Sequence, residues 1–404
     1  MSPYIFVAIP ALDELATLPQ TLEAIARQVC NYNFSVYVCV NQPDEWWDIP
    51  EKQRICEENR QLLDYLSQFD KFELHIIDKS SRGAGWTKKD YGVGMARKVL
   101  FDNILQIADN NDVVISLDAD TTFGDSYFQA IGDRFRKNAR LNAISVPYYH
   151  KLTADDEANR AILRYELYMR SYFINMSLIE SPYTFTAIGS AIAVRVRALR
   201  KIGGITPMKS GEDFYLLQKL RKMDYVSNWC DSKVFPAARF SDRVFFGTGP
   251  AMIKGRAGNW ESYPIYHYRF FKEIKHNYDL IPQLFSENIT TDFITFLENQ
   301  FNDADLWTPL RKNAKCPERF LRAFHEKADG LRILQYLKQK QKDEDIADET
   351  ALKDNFRFFF NNIPDFLEKM RQIDDLSTSE LDFLRNLLFD FENELRYSEF
   401  KNNE

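Results

Sequence analysis

The chain has 404 residues, 45% hydrophobic and 27% charged, which is typical of a folded globular protein and excludes a disordered or fibrous one. Its formal net charge of −7 lacks the basic excess of most nucleic-acid-binding proteins, so we expect no nucleic-acid partner. The five cysteines include no C-x-x-C pair, which argues against a disulfide framework and predicts a cytosolic protein. No apolar run approaches the ~18 residues of a membrane span, so we expect at most peripheral membrane contact.

Residues 1–124 alternate between short apolar segments and segments with helical spacing of apolar residues. The apolar segments predict strands at Tyr4–Ile9, Ser35–Val40, Phe72–Ile77 and Asp112–Leu117. The segments between them predict helices at Leu15–Gln28, Glu51–Ser67 and Gly92–Ala108. Strands that are almost continuously apolar are typical of parallel sheets covered on both faces. We therefore expect an α/β fold with a doubly wound, mostly parallel sheet, which binds ligands at the carboxyl ends of its strands.

The rest of the chain changes character near residue 279. Before that point the patterns predict short strands and two helices: Ala143–Pro147, Ala187–Arg195 and Ser232–Ala237, with helices at Asp155–Ile174 and Glu212–Lys222. After it they predict helices only: Phe293–Phe301, Pro317–Lys340, Leu352–Phe360 and Leu381–Phe400. A capping box of Ser377 and Glu380 opens the last helix, and the charge run 338–350 is expected to be a solvated loop. We expect an α/β domain over 1–278 and an all-helical C-terminal extension over 279–404.

The fourth predicted strand ends in two carboxylates, Asp118 and Asp120. Residues two apart point to the same face of a strand, so both side chains can meet one ligand. A Mg²⁺ or Mn²⁺ ion uses one or two protein carboxylates and takes its other ligands from phosphates and water. The pair is suited to hold a metal together with a diphosphate. An acidic turn that only closes the strand is the alternative interpretation.

Polar or flexible residues follow the other predicted strands as well. Pro10, Ala11, Asp13 and Glu14 follow the first strand, Asn41 follows the second, and Gly92, Gly94 and Arg97 come after the third. Further on, Glu212 and Asp213 open a helix, and Arg239 and Arg243 lie in a basic loop. Arginines of this kind can hold a diphosphate or an anionic acceptor, although surface arginines are the alternative.

With these motifs over residues 4–225, the chain resembles the family 2 glycosyltransferases, which have the GT-A fold. The resemblance implies that the turn from Pro10 to Glu14, together with Asn41, meets the nucleotide base. It implies that the turn with Gly92, Gly94 and Arg97 lies beside the nucleoside. In the same way, 1–124 becomes the nucleotide-binding half and 125–278 the acceptor half.

The resemblance also implies an activity, a metal-dependent transfer of sugar from a UDP- or GDP-sugar to an acceptor hydroxyl. Asp118 and Asp120 are then the residues that bind Mn²⁺ or Mg²⁺ and the donor, and His267 is a candidate third metal ligand. Asp213 is the expected general base, with Glu212 as the second candidate, and inversion is the implied stereochemistry. No Gln-x-x-Arg-Trp motif follows Asp213, so we expect a non-processive enzyme.

Two other functions stay open at this point. A nucleotidyltransferase acting on a sugar phosphate shares the sheet and the metal–diphosphate requirement, but it needs a Gly-rich basic loop where Leu12–Ala16 stands. A catalytically silent module of the same fold could bind carbohydrate or a partner. The residues do not indicate the donor sugar, its base, the acceptor, the role of the C-terminal helices or the oligomeric state.

Overall fold

The computed structural model describes residues 2–87, 91–208, 211–242 and 247–403. The chain forms two compact units. The first unit contains residues up to 162, residues 185–258 and the chain end from 396, and the second contains 163–184 and 259–395. Two long helices, Asp156–Leu178 and Thr378–Asn403, contribute residues to both units. The predicted domains, 1–278 and 279–404, stay a prediction.

The first unit is built on a seven-stranded sheet and a small two-stranded one. In chain order the strands are β1 (Ile5–Ala11), β2 (Phe34–Asn41), β3 (Leu74–Lys79), β4 (Val113–Ser116), β5 (Thr122–Phe123), β6 (Ala143–Ser145), β7 (Ile192–Arg195), β8 (Val226–Ser227) and β9 (Val234–Phe235). The large sheet has the order β3-β2-β1-β4-β7-β6-β8, and β5 pairs with β9. Strands β3, β2, β1 and β4 are parallel, while β7 runs antiparallel to its neighbours β4 and β6. The predicted mostly parallel sheet is confirmed.

Helices lie between these strands and after the last one. They are α1 (Leu18–Ala26), α2 (Gln53–Ser67), α3 (Val93–Ile107), α4 (Tyr127–Lys137), α5 (Asp156–Leu178), α6 (Val196–Lys201), α7 (Glu212–Met223) and α8 (Thr248–Arg256). The central strands β1 and β4 are buried along their whole length, as their continuous apolar sequences predict. Strand β3 differs, because it is the edge strand of the sheet and its residues are only partly buried. The expectation that all four strands are covered on both faces is therefore wrong for β3.

The second unit is helical. Besides part of α5, it contains α9 (Tyr268–Asp279), α10 (Ile281–Ser286), α11 (Asp292–Phe301), α12 (Trp307–Ala314), α13 (Pro317–Lys327), α14 (Gly330–Glu344), α15 (Asp348–Phe359), α16 (Asp365–Lys369) and most of α17 (Thr378–Asn403). The apolar stripe of α17 is part of its core, where Leu384 and Leu388 pack with residues of α5 and α15. The predicted α/β fold with a helical C-terminal part is therefore confirmed.

The core of the second unit also contains buried charges. Glu166 and Arg170 of α5 and Arg385 and Glu392 of α17 have side chains that are at most 2% exposed. Arg170 donates to Glu392 at 2.6 Å and to Glu166 at 2.8 Å, and Arg385 lies 3.4 Å from Glu166. Two arginines and two glutamates balance each other, which allows these charges to be buried. The network joins α5 to α17 within the unit.

Two details of the helical part differ from the sequence prediction. The expected single helix Pro317–Lys340 is two helices, because Asp329 accepts a hydrogen bond from the Arg332 N–H at 3.1 Å and begins α14. The loop expected at 338–350 is also wrong, since α14 continues to Glu344 and α15 begins at Asp348. Lys340 pairs at 3.0 Å with Glu344, which lies one helical turn further along the chain. Charges of this run therefore stabilise α14.

The capping box that opens α17 is confirmed. The Ser377 N–H donates to Glu380 Oε2 at 2.8 Å, and the Glu380 N–H donates to Ser377 Oγ at 3.3 Å. None of the described helices combines the length and the apolar composition that crossing a bilayer requires. The cytosolic location stays a prediction.

Candidate active site

The two carboxylates after β4 lie in a turn at the carboxyl edge of the large sheet. The Thr21 hydroxyl of α1 donates to the Ala119 carbonyl at 3.0 Å, and the Thr121 N–H donates to the Asp118 carbonyl at 3.2 Å. These bonds fix the turn from both sides. The Asp118 side chain is 36% exposed and the Asp120 side chain 15%. Both predicted residues are therefore at the sheet edge where ligands of such folds bind.

The second acidic pair forms the first turn of α7. Gly211 precedes the helix with φ of +77°, a left-handed conformation that favours glycine. Glu212 is buried and Asp213 is half-buried, and the Phe214 N–H donates to Asp213 Oδ1 at 2.7 Å. The N-terminal end of a helix carries partial positive charge, which stabilises carboxylates at these positions.

One buried arginine connects the two acidic pairs. Arg97 of α3 donates from Nη2 to Asp118 Oδ1 and from Nη1 to Glu212 Oε1. Its side chain is only 4% exposed. Burial disfavours the charge of Arg97, but the carboxylates of Asp118 and Glu212 outweigh that effect and raise the pKa of Arg97. The structure therefore brings together motifs that the sequence separates widely. A contact of Arg97 with the nucleotide stays a prediction.

Two glycines allow this close approach. A Cβ atom on Gly189 would lie 2.1 Å from Nη2 of Arg97, so only a glycine leaves room for the guanidinium. A Cβ on Gly94, in the first turn of α3, would lie 2.1 Å from the carbonyl oxygen of Met208. Gly92 begins the same helix with φ of +111°. The predicted Gly-rich turn thus packs α3 tightly against the backbone of Met208.

The surroundings of Asp213 raise the pKa of its carboxyl group. Burial and, next, the neighbouring charge of Glu212 raise the pKa of Asp213 to about 7, although Arg97 acts in the opposite direction. A carboxylate with a pKa near neutrality both accepts and releases a proton readily at physiological pH. Asp213 is therefore the acid whose proton affinity suits a general base.

A second arginine, Arg239, links the turns that follow β1 and β4. Nη2 of Arg239 lies 2.5 Å from Glu14 Oε1 and 2.6 Å from Asp120 Oδ2, and Nε donates to the same Asp120 oxygen at 2.8 Å. Burial disfavours the charge of Arg239, but Asp120 and Glu14 outweigh it and raise the pKa of Arg239. The pairing of Thr122 in β5 with Phe235 in β9 explains this placement, because it brings the segment that leads to Arg239 beside the turn with Asp120.

The first-strand turn is fixed by its own contacts. Pro10 and Ala11 are the last residues of β1. Asp13 has φ of +58°, its N–H donates to Asn59 Oδ1 at 3.0 Å, and its carboxylate pairs with Arg54 at 3.0 Å. Asn59 lies in the middle of α2 and no sequence motif marks it, so sequence reasoning missed its role in shaping the turn.

Asn41, at the end of β2, uses both ends of its amide within the protein. Nδ2 donates to the Ala11 carbonyl at 2.9 Å, and Oδ1 accepts from Trp86 Nε1 at 3.1 Å. Sequence reasoning also missed Trp86, a buried aromatic residue beyond the predicted third strand. The role of Asn41 toward a nucleotide base stays a prediction.

The two remaining predicted site residues are Arg243 and His267. Arg243 lies outside the described residues. His267 belongs to the second unit, where it caps α9: Nδ1 accepts from the Arg269 N–H at 3.1 Å, and Nε2 lies 3.2 Å from Asp354 Oδ2. Both ring nitrogens therefore have partners within that unit. A metal-ligating role of His267 stays a prediction.

The carboxylate oxygens at the sheet edge suit a divalent cation that binds together with a phosphate group. Among the residues that the structure describes, no three His, Cys, Asp or Glu side chains form a metal-binding group. Asp118 and Asp120 supply two carboxylates, which is the protein contribution that Mg²⁺ needs when phosphate and water complete its shell. The two carboxylates are therefore suited to hold a metal together with a diphosphate.

No protein-family model matches the sequence, and no curated protein does. Residues 1–349 of TarS from S. aureus, in complex with UDP-GlcNAc, are similar in structure, with 12% identity, a TM-score of 0.38 and coverage of 99% of this chain and 92% of that one. The mannosyltransferase PcManGT from Pyrobaculum calidifontis, in complex with GDP-Man and Mn²⁺, is 13% identical, with a TM-score of 0.43 and coverage of 97% and 87%. At these TM-scores neither likeness defines the activity of this chain, which is inferred below from its own residues.

Proposed function

We propose that the chain is a metal-dependent glycosyltransferase that moves a sugar from a UDP- or GDP-sugar to an acceptor hydroxyl. The observation that carries the proposal is the position of Arg97, whose buried guanidinium binds both Asp118 and Glu212. This contact brings a pair of carboxylates suited to a metal–diphosphate together with a helix-terminal acid pair suited to proton transfer. Transfer of a sugar from a nucleotide needs both functions at once.

The donor side of the reaction falls to the residues after β4. Asp118 and Asp120 would hold the metal, which when bound neutralises the charge that develops on the leaving diphosphate. Arg239 is close enough to Asp120, at 2.6 Å, to serve the same diphosphate. Carboxylates and arginine therefore position the donor and stabilise its leaving group.

The acceptor side falls to α7. The acceptor oxygen attacks the anomeric carbon, its proton passes to a carboxylate oxygen of Asp213, and the bond from that carbon to the diphosphate oxygen breaks. A pKa of about 7 makes Asp213 able to take this proton near neutral pH. Attack from the face opposite the leaving diphosphate inverts the configuration. The absence of a Gln-x-x-Arg-Trp motif after Asp213 favours one transfer per encounter, as in the non-processive members of family 2.

The test is the release of nucleoside diphosphate from a panel of UDP- and GDP-sugars by the full chain, with Mn²⁺, with Mg²⁺ or with a chelator. We expect metal-dependent release from at least one donor, with water in place of the acceptor, and its loss in Asp120→Asn. Release of pyrophosphate from UTP or GTP with a sugar phosphate would indicate a nucleotidyltransferase instead. Donor binding with no release would indicate a catalytically silent module.

A further inference from the structure

The acidic site already contains a cation, the guanidinium of Arg239. Its contacts with Glu14 and Asp120 are 2.5–2.8 Å long, and the side chains of the two acids are 8% and 15% exposed. Arg239 itself is 30% exposed, so it lies at the border between the acids and solvent. The three residues come from the turn after β1, the turn after β4 and the loop after β9. The guanidinium therefore links the loop after β9 to the turns after β1 and β4.

This arrangement competes with a metal for the same oxygen. Asp120 Oδ2 accepts both from Nε and from Nη2 of Arg239. A Mg²⁺ ion needs its oxygen ligands at about 2.0–2.1 Å, and a guanidinium already bonded to that oxygen repels it. Arg239 can leave the carboxylates at low cost only if another anion accepts its N–H groups. A diphosphate is such an anion, because its oxygens match the forked geometry of arginine.

We propose that Arg239 is an exchangeable counter-ion, which neutralises Asp120 and Glu14 in the free protein and moves to the diphosphate when the donor binds. The proposal rests on the proposed function, since it requires a nucleoside diphosphate as ligand. Its consequence is that metal and nucleotide bind together. The free protein binds Mn²⁺ weakly because Arg239 occupies Asp120, and the diphosphate strengthens Mn²⁺ binding by drawing Arg239 away.

The test is a titration of the full chain with Mn²⁺, in which the loss of the free-ion signal in electron paramagnetic resonance reports binding. Each titration with nucleotide is corrected by the same titration without protein, because UDP and GDP bind Mn²⁺ themselves. It is done without nucleotide, with UDP and with GDP. In the wild type we expect UDP or GDP to tighten Mn²⁺ binding at least about tenfold. In Arg239→Gln we expect Mn²⁺ alone to bind about tenfold more tightly than it does to the wild type, and the effect of the nucleotide to shrink.

Two further variants make the result specific. Arg60→Gln removes the same charge from an exposed arginine of the first unit, paired with Glu57 at 2.6 Å, and should behave as the wild type. Arg239→Lys keeps the positive charge but not the planar guanidinium. In the absence of nucleotide it should bind Mn²⁺ as weakly as the wild type does, and this result can be obtained even if Arg239→Gln does not fold. Equal Mn²⁺ affinity of wild type and Arg239→Gln in the absence of nucleotide would overturn the counter-ion role alone. Equal Mn²⁺ affinity of the wild type with and without nucleotide would overturn the counter-ion role and contradict the proposed metal–diphosphate site. Failure of every variant to bind Mn²⁺ with either nucleotide would overturn the proposed function as well.

Discussion

Replacing Arg97 with glutamine removes the buried cation between the two acidic pairs. The side chains of Arg97 and Glu212 are 4% and 3% exposed, so solvent hardly screens their contact. Removing one partner of a buried ion pair costs about 3–5 kcal/mol, because the other charge stays buried without a partner. Asp118 adds little to this cost, since more than a third of its side chain is exposed to water. We therefore expect the free energy of unfolding to fall by about 3 kcal/mol.

The assay is urea unfolding of the full chain, with the free energy of the transition as the readout. The double variant Arg97→Gln/Glu212→Gln should regain about 2 kcal/mol, because it removes the uncompensated charge as well. Arg60→Gln, which breaks an exposed pair with Glu57, should leave the transition unchanged. A loss below about 1 kcal/mol in Arg97→Gln, or a double variant no more stable than the single one, would refute this account of Arg97.

Three other variants or conditions test the rest of the site. Gly189→Ala places a Cβ 2.1 Å from the guanidinium of Arg97 and should cost about 1–3 kcal/mol in urea unfolding, whereas Gly124→Ala, with no atom within 4 Å, should cost far less. Asp120→Asn should lose Mn²⁺-dependent UDP or GDP binding in calorimetry while its circular dichroism stays that of the folded wild type; unchanged affinity removes Asp120 from the site. Because Asp213 must lose its proton to act as a base, donor turnover should rise with pH through about 7 and then level off, and a flat profile contradicts this. Since the folded pKa of Asp213 exceeds the usual value of about 3.9, its contribution to stability should decrease as pH rises from about 4 to 7.

The sheet and the acidic motifs were predictable because each depends on local sequence. The apolar segments around β1 and β4 predict buried strands. A carboxylate directly after such a strand lies at the sheet edge, independently of the rest of the sequence. The same holds for α7, whose start is marked by Gly211.

The partners of these acids could not be predicted from the sequence. The contact of Arg97 with Glu212 spans 115 residues and that of Arg239 with Glu14 spans 225, and spacing contains no signal for such pairings. The prediction of a loop at 338–350 was wrong for a related reason. Charges at helical spacing fit both a solvated loop and a helix with pairs one turn apart, and only packing around residues such as Leu337 decides between them.

Whether Asp213 takes the proton of the acceptor is tested most directly by measuring donor affinity and donor turnover on the same variant. Asp213→Asn should bind the sugar nucleotide as the wild type does, because this residue does not hold the donor, while turnover falls by about 10²-fold or more. Glu212→Gln is the matched comparison, since it changes the neighbouring acid in the same helical turn. Turnover of Asp213→Asn equal to that of the wild type, with loss in Glu212→Gln, would move the role of base to Glu212. Unchanged turnover in both variants would contradict the assignment of the base to this helix.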